Sequence, residues 1–281
     1  MTLNEFNNQS KEAAKLMFKE CCGANKWVDS MLTAMPYKDE AELIKRADDV
    51  WFNHCSEPDW VEAFSHHPRI GNKADASEKF AAAEQSGVQS ATQCTMNELA
   101  RANEAYEKKN KFIFIVCATG KPADEMLRLL QQRLQNIEKA ELHIAMNEQQ
   151  KITILRLKKI LNKANWSNFP VSQLTTHVLD TSIGTPGKNM GIKLQQLEQG
   201  KWLTIAQGIT NADGRIADML PALHYLNGNY KMLFDTCAYF ALKKTTCFYP
   251  VVEIQFTITD QTHYHIPLLI SPFGFTTYRG S

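Results

Sequence analysis

Apolar residues along the chain change their period once. Before residue 162 they recur at helical spacing, as at Ile152, Leu155, Leu157, Ile160 and Leu161. After residue 170 they alternate, with Leu174, Thr176 and Val178 on one parity and Val252, Ile254, Phe256 and Ile258 on another. A period of about 3.6 giving way to a period of about 2 across a polar, Pro-terminated stretch marks the junction of a helical and a β domain. The expected organisation is multidomain, with an all-α domain over 1–163, a linker at 164–170 and an all-β domain over 171–281. The linker has no long Gly/Ser tract, so the two halves should stay fairly close.

In the first half the spacing predicts helices over 11–22 (ended by Gly23), 27–35 (stopped before Pro36) and 39–55, and a short one over 59–64 with Pro58 in its first turn. Thr95-Met-Asn-Glu98 has the form of a capping box opening a helix that carries Leu99, Ala102 and Tyr106. The apolar run 112–118 fits a short buried strand or a buried helical turn, and two long helices, 122–144 and 149–161, close the half. In the second half, strands over 174–180, 191–197, 202–210, 230–235, 250–259 and 264–270 alternate with turn signals, and a short helix spans 236–243. That rhythm predicts an antiparallel sandwich.

Composition narrows the function classes. The 281 residues suit two domains, each long enough to bury a core. The net charge is +1 with both signs interspersed, so no basic stripe is available for nucleic acid. The most apolar run is far too short to span a bilayer, and the first residues lack a signal-peptide pattern, so no membrane partner is expected. Seven cysteines, including the vicinal pair Cys21-Cys22 and no C-x-x-C, speak for a reducing, cytoplasmic setting and against a structural zinc site. No glycine-rich phosphate loop occurs, so no cofactor is expected.

Candidate chemistry gathers in two places. His66-His67-Pro68-Arg69 interrupts the helical pattern, and an imidazole can exchange protons at neutral pH. Glu84 and Gln85 could hold the ring or a substrate N–H; the plainer alternatives are a helix-ending turn and a solvated helix face. In the β half, His177, His263 and His265 stand in otherwise apolar strands, as core or edge residues, as a zinc set, or as a catalytic group.

The helical half resembles OHCU (2-oxo-4-hydroxy-4-carboxy-5-ureidoimidazoline) decarboxylase. The runs that carry the likeness are Cys21-Cys-Gly23, Trp27-Val28, His67-Pro-Arg-Ile-Gly71, Glu84-Gln85 and Phe112-Ile-Phe-Ile-Val-Cys-Ala118. The resemblance implies His67 as the catalytic histidine and Pro68, Ala81, Glu84, Gln85, Phe114, Ile115, Val116, Cys117 and Ala118 as the substrate cradle. At Ala81 the family usually has serine, so a hydroxyl contact is missing or replaced there; His66 falls outside the motif. The β half is similar to 5-hydroxyisourate hydrolase, the transthyretin-like enzyme. It shares Leu174-Thr-Thr-His-Val-Leu-Asp180, Asp213-Gly-Arg215, His263-Tyr-His-Ile-Pro-Leu268 and the terminal Tyr278-Arg-Gly-Ser281. That likeness implies a catalytic group of His177, Arg215 and His265, closed by Tyr278 and Ser281, with His263 outside it. It also implies a tetramer through the β domain and allows a dimer through the helical one. Together the two resemblances imply a bifunctional urate-degradation enzyme acting on 5-hydroxyisourate and OHCU; the alternative is a transthyretin-like binding protein with a helical assembly domain.

Overall fold

The computed structural model describes residues 1–69, 93–119, 121–162, 172–216, 219–222 and 224–280. The chain divides into two compact units, residues 1–169 and 170–281. No helix among the described residues is long and apolar enough to cross a membrane.

The helical unit is built from α1 (Leu3–Asn7), α2 (Lys11–Cys21), α3 (Asn25–Thr33), α4 (Glu40–Asp49), α5 (Glu57–Ser65), α6 (Gln93–Asn110), α7 (Ala123–Arg133) and α8 (Glu138–Ile160). Helix α8 is the axis, because nearly every side chain from Ala140 to Leu157 is buried, as in a helix surrounded on all sides. Its neighbours reach it with polar tips as well as apolar faces. Trp51 Nε1 donates to the Met146 carbonyl at 2.9 Å, and Arg156 Nη1 donates to the Glu20 carbonyl at 3.0 Å.

Three expectations about helix bounds need correcting. The helix expected over 39–55 is α4 followed by a π-helical turn, Val50–His54, in which Val50 and Trp51 are buried. Thr95 does not cap a helix: α6 already runs from Gln93, and the Thr95 hydroxyl turns to Asp124 Oδ1 at 3.2 Å. The break expected near 145–148 lies instead at 134–137, between α7 and α8. There Lys109 Nζ takes the carbonyls of Leu134 and Asn136, each at 2.6 Å, satisfying acceptors that a continued helix would have used. The spacing could not show this, since the stop is supplied by a lysine from another helix.

The second unit contains β1 (Leu174–Asp180), β2 (Thr185–Pro186), β3 (Gly191–Glu198), β4 (Lys201–Ile209), β5 (Gly228–Phe234), α9 (Thr236–Leu242), β6 (Val252–Ile258), β7 (Tyr264–Ser271) and β8 (Gly274–Thr277). The strands form two sheets, in the orders β2-β1-β7-β8 and β4-β3-β5-β6. The second sheet is antiparallel throughout, but β1 and β7 pair in parallel, Leu174 opposite Tyr264 and Asp180 opposite Ile270. The wholly antiparallel expectation therefore fails at that pair. Local turns reveal hairpins, whereas the β1–β7 pairing joins distant stretches of chain that no turn links. Strand β8 also went unpredicted; only four residues long, it has too few positions to display a period.

Alternation along β1 puts Leu174, Thr176, Val178 and Asp180 inside and leaves Thr175, His177 and Leu179 on the outer face. Buried Asp180 ties α9 down: its Oδ2 accepts from the Tyr239 hydroxyl at 2.9 Å and from Lys243 Nζ at 3.0 Å.

Each unit holds its own apolar core. Cutting the chain within 163–170 should therefore give two fragments that each melt cooperatively. A fragment without a cooperative transition by circular dichroism would show that the halves depend on a shared core.

Candidate active sites

Helix α5 ends at Ser65, and the chain leaves it through His66 and His67, whose N–H groups donate to the carbonyls of Ala63 (3.2 Å) and Phe64 (3.1 Å). A helix-ending turn is thus what aims both rings. His66 packs over Gly23, where a Cβ would lie 2.3 Å from its ring carbon Cδ2, so that glycine is required by close approach and His66 is structural. His67, half-buried, faces α8 and places Nε2 at 2.6 Å from Gln149 Oε1. The amide of Gln149 is oriented by its other end, since Nε2 donates to Thr153 Oγ1 at 3.2 Å while that hydroxyl turns to the Gln149 carbonyl at 3.0 Å. An amide oxygen only accepts, so His67 carries its proton on Nε2 and leaves Nδ1 as a base. Burial pushes the His67 pKa down to about 3; the Arg156 guanidinium acts in the same direction and the Gln149 hydrogen bond opposes it.

His67 and Pro68 line a cleft, partly open to solvent, with residues 114–119 and, from α8, Ile152 and Leu155. The cradle residues Phe114, Ile115, Val116, Cys117 and Ala118 therefore meet His67. The segment is neither strand nor helical turn; it has no regular secondary structure, and buried side chains take up part of its backbone. Cys117 N–H donates to Glu148 Oε2 at 2.7 Å, and Glu148 pairs with Lys151. The Ile115 carbonyl accepts from Arg133 Nη1 at 2.6 Å. Arg133 in turn donates through Nε to Glu141 at 2.9 Å and through Nη2 to the Tyr106 hydroxyl at 3.1 Å, and Asn136 donates to the same Glu141. Helical spacing alone did not single out Gln149, Arg133, Glu141 or Glu148, because it cannot separate a buried, paired charge from a solvated one. Ala81, Glu84 and Gln85 lie outside the described residues.

In the β unit the site lies on the outer face of the first sheet. His177 on β1 and His265 on β7 both point away from the core; Thr175 is the register partner of His265 and Pro267 that of His177. Arg215 is brought alongside by an isolated bridge to His177. The tight turn before it needs glycine: Gly214 has φ +69°, and a Cβ there would lie 2.3 Å from the Val178 carbonyl oxygen. Asn211 Oδ1 accepts from the N–H groups of Asp213 and Arg215, both at 3.0 Å, and fixes the turn.

From the other side the chain end closes on His265. Gly280 N–H donates to the His265 carbonyl at 2.9 Å, and a Cβ on Gly280 would lie 2.7 Å from the imidazole Cδ2. Tyr278 is exposed, Arg279 lies over the Tyr264 ring at 4.8 Å, and Ser281 is outside the described residues. Burial followed by the Arg215 charge holds both His177 and His265 below the usual imidazole range. His263, which the motif left out, is drawn in: its Nε2 is 2.9 Å from Thr175 Oγ1, and the same oxygen is 2.9 Å from His265 Nδ1.

A helical unit with a neutral histidine in a cleft, joined to a sandwich with two histidines and an arginine on its sheet, defines a two-site protein of the metabolite-processing kind. The family model of OHCU decarboxylase matches residues 7–158, and that of the HIUase/Transthyretin family matches residues 174–280. The chain belongs to the OHCU decarboxylase family over its first unit and to the HIUase/transthyretin family over its second. It is 33% identical over 320 residues to the uric acid degradation bifunctional protein TTL of Arabidopsis thaliana, covering 94% of this chain and 97% of that one. It is 44% identical over 113 residues to the 5-hydroxyisourate hydrolase of Mus musculus, covering 39% of this chain and 96% of that protein. A crystal structure of OHCU decarboxylase in the presence of (S)-allantoin is 39% identical, with 55% of this chain and 99% of that chain covered and a TM-score of 0.48.

Replacing Arg133 by Met should destabilise the helical unit by about 3–5 kcal/mol, because Glu141 would keep its buried charge without a cation. A urea melt of the helical transition checks this, and a shift well under that range would show the network relaxing around the loss. The depressed His67 pKa gives a signed pH effect. Its neutral ring contributes stability that is present above the unfolded value of about 6.5 and is lost as pH falls toward about 3. The His67 ring should accordingly show no titration by NMR until pH nears about 3.

Proposed function

We infer that this protein is a bifunctional enzyme of urate degradation. The β unit hydrolyses 5-hydroxyisourate to OHCU, and the helical unit decarboxylates OHCU to (S)-allantoin. The observation that carries this reading is the similarity to a bifunctional uric acid degradation protein over 94% of this chain.

The geometry supports a division of labour in each site. In the β unit, Arg215 polarises the scissile lactam carbonyl and holds the developing oxyanion, while a neutral imidazole takes a proton from the attacking water. His177 and His265 are both kept neutral enough for that task. The proton so taken is then delivered to the leaving ring nitrogen.

In the helical unit the apolar wall at 114–118 strips water from the substrate carboxylate and so favours loss of CO2. The carbanion left on the ring carbon is delocalised into the adjacent π-system. His67, whose Nδ1 carries no proton, takes the proton of the substrate hydroxyl and passes it on to the ring, the remaining proton coming from water. Glu84 and Gln85 bind the ureido N–H groups, a role resting on the family motif. Protonation from one face gives a single enantiomer. The chemistry needs no cofactor.

The protein works as a homo-oligomer, a tetramer through the β unit, in the cytoplasm. Two observations support this part. Edge strand β8 and the loop before edge strand β6 carry exposed aromatic side chains, Phe248, Tyr249 and Phe275, with Tyr249 and Phe275 in edge-to-face contact at 5.2 Å. All seven cysteines are free thiols.

His67→Asn should abolish formation of (S)-allantoin from OHCU and leave 5-hydroxyisourate decay at the wild-type rate; His265→Asn should do the reverse. Ultraviolet decay with circular dichroism of the product reads both steps. Optically active allantoin formed at the wild-type rate by His67→Asn would overturn the decarboxylase assignment.

A further inference from the structure

The hydrolase reading leaves one arrangement unused. The Thr175 hydroxyl stands at 2.9 Å from Nδ1 of half-buried His265 and at 2.9 Å from Nε2 of exposed His263. The two rings are nearly parallel, 13° apart with centroids 6.5 Å apart, too far for direct contact. The hydroxyl has one hydrogen and can both accept and donate, so it can give to only one of the two nitrogens and at least one of them must give to it. A hydrolytic base needs an open nitrogen on the side of the substrate, which places the His265 proton on Nδ1, the nitrogen that faces Thr175. Oγ1 then accepts from His265 and its hydrogen points to His263 Nε2. The arrangement leaves His265 Nε2 as the open base, with Arg215 and His177 as the other charged or titratable groups acting on it.

We propose that Thr175 and His263 form a proton relay that connects the His265 imidazole to solvent. The proposal rests on the hydrolase reading of this site. In the relay, His265 Nε2 takes a proton from water as the water oxygen bonds to the substrate carbonyl. The His265 Nδ1 proton passes to Thr175 Oγ1 as the hydroxyl hydrogen passes to His263 Nε2, and His263 releases its Nδ1 proton to solvent. His265 is then neutral with its proton on Nε2, ready to give it to the leaving ring nitrogen as the carbon–nitrogen bond breaks. In that same step the relay runs backwards and returns a proton to Nδ1, so the ring stays neutral and the starting tautomer is restored. Opening the lactam leaves a carboxylic acid that ionises at neutral pH, so each turnover delivers one proton to the bulk.

Thr175 and His263 are positioning residues in this scheme, since neither touches substrate. The β1 strand carries Thr175 on its outer face, where valine keeps the shape and the strand propensity while removing only the hydroxyl.

The test uses the full-length protein and 5-hydroxyisourate generated from urate by urate oxidase. Wild type and His265→Asn are assayed first; a wild type without hydrolysis, or a His265→Asn variant at the wild-type rate, overturns the hydrolase reading and the relay with it. With those in place, Thr175→Val should lower kcat about tenfold with KM little changed. Thr175→Ser should recover the rate. His263→Gln should show the same kcat loss as Thr175→Val and be rescued by added imidazole buffer. The wild-type proton inventory in mixed H2O and D2O should be curved, with several protons in flight, and that of Thr175→Val linear. A kcat within twofold of wild type in a folded Thr175→Val variant overturns the relay while leaving the hydrolase intact. Should Thr175→Val melt early, His263→Gln decides alone: an unchanged kcat with no response to imidazole overturns the proposal.

Discussion

A backbone amide taken out of water must find a partner, and the helical site depends on how that demand is met. The wall of the cleft is a buried stretch, 114–118, that belongs to no helix and pairs with no strand. Its carbonyl at Ile115 and its N–H at Cys117 are taken up by Arg133 and Glu148, side chains of α7 and α8. Those charges are tolerable in the interior because each has its own counter-ion, Glu141 and Lys151. The polar interior of this unit is therefore the scaffold of its site. Irregular backbone gives the cleft a shape that a ladder could not, and a closed network of charges holds that shape.

The β unit answers the same demand differently. There the site backbone is held by single bridges, His177 with Arg215 and His265 with Gly280, at the margins of a regular sheet. Both bridges run beside a glycine, and both glycines are required by neighbours a Cβ would strike. Sequence shows such glycines only as turn signals. Their purpose, bringing Arg215 and the chain end against two imidazoles, becomes visible only when the partner strands are in place.

Legibility in the sequence followed the range of the interaction. The change of period, most strands of the sandwich and the helices with one apolar face could be read because each is written in neighbours a few residues apart. The α7–α8 break, the parallel β1–β7 pair and the fate of 112–118 could not. Each is decided by a contact across the fold: Lys109 on two carbonyls, strands joined across the unit, Arg133 on Ile115. The site shows the same split. His67, His177, Arg215 and His265 stand in recognisable motifs, whereas Gln149 and Thr175, the hydrogen-bond partners of His67 and His265, look like an ordinary helix face and strand face.

The two units share one electrostatic solution although their folds have nothing in common. In each, burial is the main cause that keeps a histidine neutral, and a guanidinium, Arg156 or Arg215, adds to it. A cation beside a ring disfavours its protonated form, so it works in the same direction as burial. In both units the imidazole is thereby held in its unprotonated form, able to accept a proton, by burial first and by a neighbouring guanidinium second. Two unrelated scaffolds reach the same pairing of arginine and histidine.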